Sequence, residues 1–81
     1  MSRLKVLSGE EIIKIFMSYG FDMVSQRGSH VKLKRETEEG VKQTLTIPKH
    51  QELDKGTIRA VYRQASRYIS EKDLADKFYE D

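Results

Sequence analysis

The chain contains no cysteine and no tryptophan, one proline and two histidines among its 81 residues. Without cysteine there is no disulfide framework, no thiol nucleophile and no zinc–thiolate centre. Two histidines are too few for a His-rich metal cluster, although carboxylate-bound magnesium stays open. No long apolar run is present, and the segment from Met1 to Leu7 lacks a signal-peptide core, so a soluble cytoplasmic protein with no membrane partner is expected. No two glycines lie close together, which excludes a glycine-rich phosphate cradle, and no serine–histidine–acid arrangement is visible. Hydrophobic residues make up 37% of the chain, enough for one small core without a deep pocket. A single domain over residues 1–81 is expected, with its core at about 5–70 and an acidic helical tail at 71–81.

What the chain does have is blocked charge. The formal net charge of +2 hides an uneven distribution. Residues 26–35 carry four basic side chains and no acidic one, and residues 49–68 carry five against two. Residues 69–81 reverse the balance, with two basic against five acidic. Two basic blocks suit a polyanion, while they also suit the solvated surface of any small protein.

The hydrophobic spacing predicts helix, three strands, helix. Ser8-Gly9-Glu10-Glu11 reads as a capping box. Ile12, Ile13, Phe16, Met17 and Tyr19 then recur at helical spacing as core residues, and Gly20 ends the helix with Phe21 folding back on Phe16. An extended run from Met23 to Arg27 meets a Gly28-Ser29 turn. The next strand alternates, with Val31 and Leu33 on one face and His30, Lys32 and Lys34 on the other. Val41, Leu45 and Ile47 are in phase in the third strand, which Pro48 closes. Asp54 or Thr57 caps a second helix that buries Ile58, Val61, Tyr62, Ala65 and Ile69 and carries Arg59, Arg63 and Arg67 as a ridge. Ser70 caps a short terminal helix through Leu74 and Phe78.

All seven aromatics lie in or beside predicted helices, so the strands offer no base-stacking platform. Any nucleic acid would be held by its backbone and shape. His30 is the main chemical candidate: it follows the turn, opens a basic face and has Arg27 just upstream. Histidine suits proton transfer near neutral pH, and neighbouring cations suit a phosphate whose charge grows during displacement. Gly28 leaves room for a phosphodiester. On spacing alone an ordinary exposed strand residue is the commoner reading of His30, as a surface loop residue is of His50 and a solvated helix face of the arginine ridge.

The run Arg27-Gly28-Ser29-His30-Val31-Lys32 resembles the glycine-serine-histidine motif of HicA-type (YcfA-like) mRNA interferase toxins. So do Thr46-Ile47-Pro48-Lys49-His50, Lys55-Gly56-Thr57-Ile58-Arg59 and Arg63-Gln64-Ala65, with Ser8–Glu11 and Tyr19–Phe21 in the family's order. The resemblance covers about residues 5–70. It implies an α+β fold similar to a double-stranded-RNA-binding domain, α-β-β-β-α, with a three-stranded antiparallel sheet, both main helices on one face and a short extra C-terminal helix. It implies an endoribonuclease toxin that cleaves mRNA with His30 and needs no metal or cofactor, held in check by a HicB-type antitoxin. Arg27, Gly28, Ser29, Lys32, Lys34, Lys49, His50, Arg59 and Arg63 are then the expected RNA- and phosphate-binding residues. A non-catalytic RNA-binding module, or an inactive toxin homologue acting only through its protein partner, fits the same residues. Ser66 departs from the family, which often has glycine after Gln-Ala, and so does the acidic tail after Ser70.

Overall fold

The structure, a computed structural model, describes residues 2–81. In chain order the elements are β1 (Arg3–Leu4), α1 (Gly9–Met17), β2 (Asp22–Arg27), β3 (His30–Glu36), β4 (Lys42–Pro48), α2 (Lys55–Ala65), α3 (Glu71–Phe78) and β5 (Tyr79–Glu80). β2, β3 and β4 form an antiparallel sheet with β3 in the centre, which gives the expected α-β-β-β-α arrangement.

Local chemistry sets the helix limits. Ser8 Oγ accepts the Glu11 N–H at 3.0 Å and Glu11 Oε1 accepts the Ser8 N–H at 2.9 Å, closing the capping box. The bond from the Ser8 backbone holds the Glu11 carboxyl below its usual range. Asp54, not Thr57, caps α2, accepting the Thr57 N–H at 2.7 Å, and this bond likewise lowers its carboxyl. After α1 the Gly20 N–H reaches Met17 O and the Phe21 N–H reaches Phe16 O. Gly20 has φ +93°, so this helix end needs a residue without a Cβ. Ser66 ends α2 with an ordinary φ of −63° and donates its Oγ to Tyr62 O, so glycine is not required there.

Both main helices cover one face of the sheet. Val31, Leu33, Leu45 and Ile47 on that face are wholly buried against Ile12, Phe16, Ile58 and Ala65 of the helices in one core. Phe16 sits at the centre of an aromatic cluster, with Phe21 at 6.0 Å and Phe78 at 5.9 Å between ring centres. The buried set runs from Leu4 to Phe78, because β1 pairs with β5 and brings the two ends of the chain together. Nothing in the sequence pattern pointed to that two-residue ladder, which also places Tyr79 in a strand.

Two expected core residues lie at the surface instead. Val41 is 57% exposed, since it precedes β4 at the hairpin end, beyond the reach of the helices. Met17 is also exposed: the apolar stripe of α1 is narrower than its composition, and Ile12, Ile13 and Phe16 take the inward positions.

Candidate nucleic-acid interface

The opposite face of the sheet is open. Cross-strand partners share a face, and the register places Arg27 of β2 and Pro48 of β4 on either side of His30. Lys32 follows between Ser25 and Thr46, then Lys34 between Asp22 and Thr44. His30, Arg27 and Lys32 are exposed and Lys34 is half-buried. Among the described residues the one ion pair is Arg3 with Glu80, at 4.0 Å, so no carboxylate lies within salt-bridge distance of these cations.

The turn that presents His30 depends on Gly28, whose φ is +58°. A two-residue hairpin turn with a positive φ only at its first position favours glycine there. A Cβ on Gly28 would meet nothing within 4 Å, so the approach to this turn is clear. Ser29 O accepts the Lys49 N–H at 2.6 Å, and His50 O accepts the Gly9 N–H at 2.9 Å. A side chain on Gly9 would overlap Pro48 O and stand 2.7 Å from Lys49 Cα. The segment Pro48–His50 is thus pinned between the α1 N-terminus and the Gly28-Ser29 turn. Arg27, Gly28, Ser29 and His30 gather at one end of the sheet, with Lys32 and Lys34 continuing the row. Lys49 is tied to the turn through Ser29, and Lys49 and His50 line a cavity with Ser8, Glu10 and Glu11 at the α1 N-terminus.

Arg59 and Arg63 come from α2 rather than from the sheet. They are exposed on α2 and line a cavity of about 220 Å³ with Tyr62, Ser66, Glu71 and Tyr79. The Tyr62 hydroxyl donates to Glu71 O, and burial, reinforced by Glu71, pushes its pKa up. α2 itself lies beside the outer edge of β4, where Gln64 Oε1 accepts the Thr46 N–H at 3.0 Å.

Arg35, one of the four cations of residues 26–35, points to the helix side. It donates to Gln43 Oε1 at 2.8 Å, Tyr19 O at 2.9 Å and Tyr68 O at 3.2 Å, and stacks 4.7 Å above the Phe21 ring. It fastens the ends of both helices to the sheet. Replacing it (Arg35→Met) leaves two backbone carbonyls unpartnered, and urea unfolding should show about 1–3 kcal/mol lost. An unchanged midpoint would mean that these bonds do not form in solution.

Among the described residues no group of three or more His, Asp or Glu side chains is placed to hold a metal ion, and no helix is long and apolar enough to cross a membrane. No curated protein and no solved structure matches the chain. A family model does: that of the HicA toxin of bacterial toxin–antitoxin systems matches residues 9–66, from the first residue of α1 to the cap that ends α2. This span holds every residue of the open basic face, and on its strength the chain belongs to the HicA toxin family.

Proposed function

We propose that this toxin is a cytoplasmic, metal-independent endoribonuclease that cuts mRNA at the turn end of its open sheet face. The observation that carries the reading is the position of His30: exposed, directly across from Arg27, with Lys32 next in the row and a clear approach over Gly28. His30 accepts the proton of a ribose 2′-hydroxyl while the 2′-oxygen bonds to the adjacent phosphorus. The bond from phosphorus to the 5′-oxygen breaks, leaving a 2′,3′-cyclic phosphate on one fragment. The departing oxygen takes a proton from Lys49, whose backbone is bonded to Ser29 of the turn, or from His50, the next residue. Arg27, Lys32 and Lys34 hold the phosphate and offset the charge that grows on it.

The sheet carries no aromatic side chain on this face, so recognition rests on phosphates and ribose. RNA affinity should therefore fall steeply with salt. Each phosphate contact contributes about 0.7–0.9 to the slope of log affinity against log salt. Arg27→Gln and Lys32→Gln should each lower that slope by about one contact. Salt-independent affinity would contradict a phosphate-reading face. A HicB-type antitoxin is the partner that restrains the enzyme, and its docking covers the His30 face.

A further inference from the structure

The two edges of the sheet are finished differently. On the outer edge of β4, the Thr46 N–H is taken by Gln64 and Pro48 has no N–H to offer. On the outer edge of β2 nothing comparable is present: all six residues from Asp22 to Arg27 are exposed, including Met23 at 52% and Val24 at 51%. An exposed strand edge with apolar side chains is a template for another strand.

Because Thr46 turns its N–H outward, Leu45 and Ile47 turn inward and bond to Leu33 and Val31, their partners on β3. Leu33 and Val31 are thereby spent on β4, so Met23 and Gln26, which face them from β2, turn their backbone groups outward. The register irregularity between Met23 and Ser25 explains why these outward residues are three apart.

We infer that the β2 edge is a self-association site, on which a second copy of this chain adds its own β2 antiparallel about a two-fold axis, Met23 opposite Gln26 and Asp22 opposite Arg27. This register satisfies three conditions at once. It sets outward-turned backbone against outward-turned backbone. It keeps side chains on matching faces, since Asp22 and Arg27 pair with Lys34 and His30 of the open face, and Met23 and Gln26 with Leu33 and Val31 of the other. It also places a carboxylate opposite a guanidinium twice, once on each side of the axis. The irregularity at Val24 recurs in both strands in phase, so it does not spoil the match. The product is a six-stranded sheet whose open face carries two His30 sites. A strand this short buries little surface, so the dimer is weak and reversible.

Sedimentation equilibrium of the full chain, without RNA, tests this directly. The average mass is expected to rise from 9.5 kDa toward twice that value as concentration approaches about 1 mM. Asp22→Arg and Arg27→Asp should each remain monomeric, because each sets like charges opposite. Mixing these two variants should restore association, because every pair across the axis is then opposite in sign. Gln26→Pro, which removes an outward N–H that the monomer does not use, should also be monomeric with unchanged circular dichroism. The absence of cysteine lets the register be read by cross-linking: Met23→Cys mixed with Gln26→Cys should form a disulfide faster than either variant alone. A wild-type chain that stays monomeric at about 1 mM overturns the inference and leaves the edge to a different partner. Association that survives Asp22→Arg and Gln26→Pro, or a mixture that fails to associate, overturns it as well.

Discussion

Replacing His30 with alanine is expected to slow RNA cleavage by on the order of 10²–10⁴-fold, the usual worth of a positioned general base, while RNA affinity stays nearly unchanged. The two quantities separate because of where the side chain stands. His30 is exposed on the open face and makes no hydrogen bond to the core, so its truncation should disturb stability by no more than about 0.5 kcal/mol. Arg27, its partner across the register, and Lys32, two residues on along β3, keep their charges and would still grip the phosphates. Single-turnover cleavage alongside a binding titration reads both. A variant that cuts RNA at the wild-type rate would remove His30 from the chemistry, and one that loses binding in equal measure would make it a contact residue only.

Truncating Phe16 should act on the fold instead. Its ring is wholly buried, at the meeting point of Phe21, which follows α1, and Phe78, which ends α3. Phe16→Ala removes that filling from the core, at a cost of about 3–5 kcal/mol. A domain of this length has only about 4–12 kcal/mol of stability in total. The variant should therefore unfold at much lower urea, and a good part of it should be unfolded near body temperature. A midpoint shift worth less than about 1 kcal/mol would show that α3 is not packed on α1 in solution.

How far the sequence could be read depended on whether a residue's neighbours were local. α1 was legible from end to end because its capping box, apolar stripe and Gly20 are all contacts within a few residues. β3 was legible because one face is buried and the other open, so burial alternates along it. That same alternation placed His30, Lys32 and Lys34 on one surface. It also contained the clue to Arg35, which shares the phase of Val31 and Leu33, but a fourth cation in a basic run reads as surface. Val41 misled for a related reason: it keeps the apolar phase of Leu45 and Ile47 after the helices have stopped covering the sheet.

β2 was the weakest signal. An edge strand exposed along its whole length, with a register irregularity, has no burial pattern to show, so the roles of Asp22, Ser25 and Gln26 were not visible. The pairing of β1 with β5 joins residues from opposite ends of the chain and leaves no local trace. For Arg59 and Arg63 the spacing gave a ridge but not a direction. Only the folded chain sets them around the cavity with Tyr79 and Glu71. The placing of Lys49 beside the turn and of His50 beside α1 likewise rests on two long-range backbone bonds, to Ser29 and from Gly9.

The proposed cleavage runs through the neighbouring 2′-hydroxyl and uses side chains alone. The most direct test is to incubate the purified chain with a defined RNA in excess EDTA and to determine the chemistry of the new ends. Fragments ending in 2′,3′-cyclic phosphate and beginning with a 5′-hydroxyl are expected. Intact RNA, or fragments that begin with a 5′-phosphate, would contradict it.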